Sequence, residues 1–129
     1  MEAILHDLVS DANTGTPIIV EGQKDKVALR ALGIHGPIHC IHSGGYRLFE
    51  VAEQLAHYKR IIILTDFDDQ GEKLSKKLRS NLETMRCKVD LEHRSKMKQV
   101  FRRLTKDVES LSSVVSRLQL PSQYAFYQD

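Results

Sequence analysis

Residues 61–71 read IIILTDFDDQG, in which four aliphatic residues are followed by three carboxylates and a glycine. The aliphatic run has no polar alternation, which predicts a strand covered on both faces and therefore a parallel strand flanked by helices. In open parallel sheets, ligands bind in the crevice beyond the carboxyl ends of the strands. A ligand site is therefore expected just after Leu64.

The three carboxylates have different predicted roles. Side chains two apart along a strand point the same way, so Asp66 and Asp68 are expected to face together, roughly 6 to 7 Å apart. They repel each other unless a cation lies between them, and hard oxygen ligands favour Mg²⁺, Mn²⁺ or Ca²⁺. Phe67 is expected to point the opposite way, beneath a helix. Asp69 is predicted to cap the next helix, because Glu72 follows at the spacing of a capping box. For Asp66, a plain turn residue is the alternative.

Length and composition indicate one domain over residues 1–129. With 129 residues, 41% of them hydrophobic, the chain can bury one core without disulfides or a structural metal. Cys40 and Cys87 each lie in an apolar segment and are expected to be buried free thiols. The sequence has no signal-peptide pattern and no apolar run of membrane-spanning length, so a cytoplasmic location is expected.

The positive charge is concentrated in one block. The net charge is +2, yet residues 94–106 hold six cations and no acid, which leaves 13 basic and 17 acidic residues elsewhere, a balance of −4. Met97, Val100, Phe101 and Leu104 form an apolar stripe within it. The block is predicted to be a basic amphipathic helix that faces a polyanion, with a solvated helix face as the alternative. Its candidate nucleic-acid contacts are Arg94, Lys98, Arg102 and Arg103.

Helical and strand periodicities alternate along the chain. The predicted elements are a helix at 3–12, a strand at 18–20, a helix at about 25–32, a strand at 37–42, a helix that includes 48–55, a strand at 61–64, a helix at about 70–85, a strand at 87–92 and helices at about 94–118. Val27 is placed on the inner face of the second helix, and the alternating strand 87–92 at a sheet edge. Repeated β-α units predict an α/β fold, a three-layer sandwich around a mainly parallel four-stranded sheet.

Three short motifs, read together, resemble the Toprim domain family. The matching residues are Glu21 and Gly22 after the first predicted strand, Gly44 and Gly45 after the second, and Asp66, Asp68 and Gly71 after the third. The resemblance implies a Rossmann-like Toprim core at about residues 17–92. The compact chain is also similar to small stand-alone Toprim proteins of the archaeal type, related to primase and ribosomal-RNA-maturing nuclease domains. This resemblance implies nucleic-acid processing.

The resemblance assigns the metal to the acids, and their chemistry agrees. If the first and third strands are neighbours, Glu21, Asp66 and Asp68 converge on one crevice. Asp66 and Asp68 are then ligands of Mg²⁺ or Mn²⁺, and Glu21 assists the metal and transfers a proton. Clustered acids should raise the pKa of one of them. Primase-like members carry further acids past the fourth strand, where Asp90 and Glu92 are the nearest here, so a second metal is left open.

Glycines and a lysine near these acids are further candidate contacts for a phosphate. Gly22 lets a backbone approach closely, while Lys24 either meets a phosphate or is a solvated lysine at a helix start. Gly44 and Gly45 either cradle an anion before a helix or form a plain turn.

Three functions are compatible with this pattern. The first is a Mg²⁺-dependent nuclease on RNA or DNA, and the second is a non-catalytic module that binds nucleic acid or a partner in a larger complex. The third is a small-nucleotide binder. No tyrosine can be assigned as a DNA-breaking nucleophile, so topoisomerase activity by this chain alone is not expected. The substrate, the number of metals and the oligomeric state are left open by the sequence.

Overall fold

The computed structural model describes residues 2–41 and 47–117, so Gly44, Gly45 and the predicted helix end at 118 lie outside the described residues. In chain order the elements are α1 (Glu2–Asn13), β1 (Ile18–Val20), α2 (Gln23–Ala31), β2 (Ile38–Cys40), α3 (Leu48–Leu55), β3 (Arg60–Ile63), α4 (Asp69–Thr84), β4 (Lys88–Asp90), α5 (Glu92–Phe101) and α6 (Leu111–Arg117). None of these helices is long and apolar enough to cross a membrane.

The four strands form one sheet in the order β2-β1-β3-β4, and every pairing is parallel. On β1, Ile18 lies between Ile38 of β2 and Ile62 of β3. On the other side of β3, Arg60 pairs with Lys88 of β4. The chain steps from β1 outward to β2 and returns past β1 to β3, which creates a switch point. The expectation that the first and third strands are neighbours is therefore confirmed.

Helices cover both faces of the sheet. Ile62 and Leu64 belong to one buried cluster, together with residues of α1, α2, α5 and α6. Ile61 and Ile63 point to the other cluster, which contains residues of α3 and α4. Phe67 joins the first cluster with 4% exposure, as predicted. The fold is the predicted three-layer α/β sandwich, with an all-parallel sheet.

The edge strand and Cys87 agree with the sequence, whereas the predicted burial of Cys40 is met only in part. β4 lies at the sheet edge with Lys88 exposed and Val89 half-buried, as its alternating pattern predicts. Cys87 is a buried free thiol, whereas Cys40 is free but only half-buried. Burial raises the pKa of both thiols.

Asp68 caps α4, so the prediction that Asp69 caps this helix is wrong. Asp68 has extended backbone angles, and its Oδ1 accepts a hydrogen bond from the Gly71 backbone N–H at 2.7 Å. A Cβ on Gly71 would lie 2.0 Å from the Asp66 carbonyl oxygen. Only glycine therefore allows the first turn of α4 to pack this closely on the loop that follows β3.

α5 ends at Phe101, so the prediction of one helix through residue 106 is wrong. The Leu104 N–H donates to the Phe101 carbonyl at 2.8 Å, which closes a turn. The turn brings the chain back to the sheet, where the Lys106 carbonyl accepts a hydrogen bond from the Phe67 N–H at 2.7 Å. Leu104 is consequently 47% exposed and does not extend the apolar stripe.

Val27 is also misplaced by the sequence pattern. The buried face of α2 passes through Asp25, Ala28 and Leu29, and Val27 lies off this face with 66% of its surface exposed. The apolar residues of α2 alone predict an inner face that includes Val27, because this pattern takes no account of a buried acid such as Asp25.

Candidate metal and nucleic-acid site

Glu21 and Asp66 meet where β1 and β3 end. Glu21 directly follows β1, and Asp66 lies three residues beyond β3. The Asp66 backbone N–H donates to Glu21 Oε2 at 2.9 Å. The parallel pairing of β1 with β3 thus brings together two acids that are 45 residues apart in sequence.

Both acids have raised pKa values. Burial, with the nearby charges of Glu21, Asp25 and Asp68, raises the pKa of Asp66 to about 7, although Asp66 Oδ1 accepts a hydrogen bond from the Val108 N–H at 2.9 Å. Burial also raises the pKa of Glu21, with smaller contributions from Asp68 and Asp25. The prediction that clustering raises the pKa of one acid holds for Asp66, with burial as the first cause.

These acids line a cavity of about 740 Å³, which we call the carboxylate cavity. Its acidic residues are Glu21, Asp25, Asp66 and Glu109, and its basic residues are Lys73 and Lys77 of α4. Four acids against two lysines leave the lining with excess negative charge. Such a cavity favours a cation over a bare phosphate.

Asp68 lies beside this cavity and does not line it. β3 ends at Ile63, so the alternation of side chains along a strand no longer applies at residues 66–68. Asp68 instead turns to cap α4 and is exposed in a neighbouring cavity. Within the described ranges, the donor atoms of Glu21, Asp66 and Asp68 do not form a group in which all lie within 4.8 Å of one another.

Gly22 and Lys24 have separate positions. Gly22 lines the carboxylate cavity, and its N–H donates to Asp25 Oδ2 at 2.8 Å. This contact caps the start of α2. Lys24 is exposed and does not line the carboxylate cavity; it lines a different groove with Val27 and with Glu109, which lines both.

A second cavity, of about 660 Å³, adjoins the first, and we call it the basic cavity. Its lining comprises Lys98, Arg102, Arg103 and Lys106, with Phe67, Asp68, Asp69 and Gln70. Gln70 also lines the carboxylate cavity, so the two cavities share a wall. Three of the four predicted nucleic-acid contacts therefore lie together beside the acids.

Arg94, the fourth predicted contact, is buried instead, with 4% of its surface exposed. Its Nε donates to the carbonyl and the hydroxyl of Thr65 at 3.1 and 3.0 Å. Its terminal nitrogens donate to the Asp66 carbonyl and to Glu72 Oε2. The side-chain bond to Arg94 holds the pKa of Glu72 below its ordinary value. Arg94 thus supports the loop that carries Asp66, and the interpretation as a phosphate contact is corrected.

Asp90 and Glu92 are not brought together as a second metal pair. Asp90 accepts hydrogen bonds from the first N–H groups of α5 and pairs with Arg60. Glu92 is exposed and pairs with Lys96 at 3.1 Å. The physical reason is that Asp90 faces α1, where it meets Asp11.

Asp11, Asp90 and His93 form a group of potential ligands whose atoms all lie within 4.8 Å of one another. Residues of these types could hold a divalent ion. Arg60, however, already donates to both oxygens of Asp11 at 2.7 Å, and it also pairs with Asp90. The bond to Arg60 lowers the pKa of Asp11 to about 2. An arginine therefore supplies the positive charge between these acids.

The sequence missed several residues of the site. Lys73, Lys77 and Glu109 all line the carboxylate cavity. For Lys73 and Lys77 a signal existed, because they are spaced i, i+4 on the helix that begins at the site. Glu109 had no such signal, since only the packing of the chain after α5 brings it to the carboxylate cavity.

The comparisons with known proteins identify the family. Residues 16–102 match the Toprim domain family. The chain is 42% identical to a UPF0292 protein of Thermococcus sibiricus over 100 residues, 78% of each chain. It is 35% identical to a UPF0292 protein of Methanosarcina barkeri over 131 residues, 100% of this chain and 90% of that protein. A solved structure, a putative protein from Aquifex aeolicus, has a TM-score of 0.68 and 25% identity over 84% of this chain and 95% of its own. The predicted resemblance to small archaeal stand-alone Toprim proteins is confirmed.

Proposed function

Because the chain belongs to the Toprim domain family, we propose that it is a Mg²⁺-dependent enzyme of phosphodiester chemistry, a nuclease on RNA or DNA. The family implies a nucleic-acid-related, metal-binding role. The single observation that carries the finer proposal is the 2.9 Å contact between the Asp66 N–H and Glu21 at the ends of neighbouring strands. Nucleic acid is the proposed partner, and the cytoplasm is the proposed location.

The donor set fits a hard divalent cation such as Mg²⁺ or Mn²⁺. Glu21 and Asp66 offer carboxylate oxygens within one cavity, and Asp68 lies at its border. Burial and the charges of neighbouring acids raise the pKa of Asp66 to about 7, and a bound cation would favour its charged form again. When bound, the ion supplies positive charge that neutralises a phosphate.

The protein's own groups divide the remaining work. Asp66 uses Oδ1 for the Val108 N–H, which leaves its second oxygen as the candidate ligand. Glu21 holds or moves the proton of the attacking or leaving oxygen, and its raised pKa suits this task. Lys73 and Lys77 line the same cavity and would orient the phosphate oxygens.

A second candidate function is a binding module without turnover, which would act within a larger complex. The observation that favours it is the position of Asp68, which caps α4 and lies in the basic cavity. With this acid engaged elsewhere, the site has fewer carboxylates directed at one cation. Nucleic acid would then be held but not cleaved.

The test is incubation of the protein with a mixed panel of RNA and DNA in Mg²⁺ or Mn²⁺. Wild type is compared with Asp66→Asn and with Asp7→Asn, which removes an exposed acid of α1. Cleavage by wild type and Asp7→Asn but not by Asp66→Asn supports the proposal. Equal cleavage by Asp66→Asn removes the site from the mechanism, and binding without cleavage by any protein favours the second candidate.

A further inference from the structure

We propose that the basic cavity binds a backbone phosphate of the nucleic-acid strand without any metal, next to the phosphate that reacts in the carboxylate cavity. The inference rests on the proposed function for the identity of the strand. It assigns the two adjoining cavities different tasks. The basic cavity holds the substrate, and the carboxylate cavity performs the chemistry.

The charge of the basic cavity is not neutralised within the described part of the chain. Arg102, Arg103 and Lys106 make no ion pair there within 4 Å, and Lys98 lies 3.6 Å from Glu72, which also pairs with Arg94. The lining acids are Asp68, which caps α4, and Asp69, so four cations face two carboxylates. Four cations with this little compensation form a local positive field that attracts a polyanion.

The position of the cavity identifies which polyanion. Gln70 lines both cavities, so a ligand can extend from one into the other without crossing the body of the protein. The carboxylate cavity is negative and accepts a phosphate only together with a cation, whereas the basic cavity needs none. A polymer with a phosphate at every unit satisfies both cavities at once.

The basic cavity is also fixed in place relative to the acids. The Phe67 N–H donates to the Lys106 carbonyl at 2.7 Å, and the Val108 N–H donates to Asp66 Oδ1 at 2.9 Å. The segment that carries the cations is thus hydrogen-bonded to the loop that carries Asp66. A phosphate held by Arg102 and Arg103 therefore positions its neighbour at the acids.

The test measures binding of a fluorescent single-stranded RNA and DNA oligonucleotide in EDTA over a range of salt concentrations. Wild type is compared with Arg102→Gln/Arg103→Gln. The matched control is Lys59→Gln/Lys88→Gln. It removes two exposed cations at the amino ends of β3 and β4, whereas the two cavities lie at the carboxyl ends of the strands. Lys106→Gln serves as a second, independent variant.

We expect wild type and the lysine control to bind equally in EDTA. The arginine variant should bind at least about tenfold more weakly, with a log Kd against log salt slope lower by roughly 1 to 2. Lys106→Gln should show a smaller loss in the same direction. Thermal melts within about 2 °C of wild type would show that the variants fold.

Three results would overturn the inference: no binding without metal, equal losses in the arginine and lysine variants, or equal competition by an acidic peptide of the same charge. These results are independent of turnover. If no protein cleaves any substrate but the arginine variant alone loses binding, the proposed enzyme fails and the phosphate subsite stands. If cleavage depends on Asp66 but not on the arginines, the proposed enzyme stands and the phosphate subsite fails.

Discussion

Replacing Arg94 with methionine should cost about 3 kcal/mol of unfolding free energy, because this buried guanidinium joins three parts of the site. Its loss leaves the Thr65 carbonyl, the Asp66 carbonyl and Glu72 without their donor. Breaking a fully buried ion pair costs about 3 to 5 kcal/mol, and leaving a buried carbonyl unpaired about 1 to 3. Glu72 is 38% exposed and has Lys98 at 3.6 Å, so the ion-pair loss falls below that range.

Urea unfolding in EDTA measures the effect. In a chain of this size, a loss of about 3 kcal/mol lowers the melting temperature by roughly 10 °C. Arg94→Lys should lose about 2 kcal/mol, because one ammonium keeps the charge but cannot span the partners of the planar fork. The control is Lys96→Met on the same helix, whose exposed pair with Glu92 should contribute less than about 0.5 kcal/mol.

The reasoning is refuted if Arg94→Met loses less than about 1 kcal/mol, or if Lys96→Met loses as much. The unfolding slopes should match, since a changed slope would indicate a change in the unfolded or native ensemble rather than a lost contact. Mg²⁺ affinity should fall along with stability, because the Asp66 carbonyl is one of the lost partners.

Two further predictions concern the acids. Without metal, the folded protein disfavours the charged form of Asp66, so the contribution of this residue to stability falls as the pH rises from about 4 through about 7. Asp66→Asn should remove that fall. Because Asp66 is only partly buried and solvent screens its charge, the variant should gain only about 1 kcal/mol of unfolding free energy at pH 8. Thermal melts in EDTA between pH 4.5 and 8 check this, and a parallel pH dependence in both proteins would contradict it. Glu21→Gln should reduce single-turnover cleavage by roughly 100-fold or more while Mg²⁺ affinity falls modestly. Calorimetric titration checks the split, which is wrong if Glu21→Gln abolishes metal binding and Asp66→Asn does not.

The strand pattern predicted the central contact of the site because strand ends are a local property with a global consequence. An unbroken aliphatic run identifies a buried parallel strand, and parallel strands place their carboxyl ends at one edge. The meeting of Glu21 with Asp66 followed from this rule. The rule does not apply to Asp68, because the chain leaves strand geometry after Ile63. The orientation of the Asp68 side chain is set by its hydrogen bond at the start of α4.

Charge patterns were less informative than strand patterns. A run of cations does not reveal which member is buried, since Arg94 and Arg102 look alike in sequence while one is 4% exposed and the other is on the surface. The difference arises from partners far along the chain, such as Thr65. The pairing of Arg60 with Asp11, 49 residues apart, is equally invisible before the helices pack.

The bond from the Val108 N–H to Asp66 bears on how this protein could be dissected. The family match ends at residue 102, yet the acid at the centre of the site is held by a backbone group six residues further on. A fragment cut at the family boundary would keep every motif residue and lose a support of Asp66. The region that carries the motifs therefore cannot be transferred by itself with its site intact. A chimaera built on this chain needs its junction beyond α6.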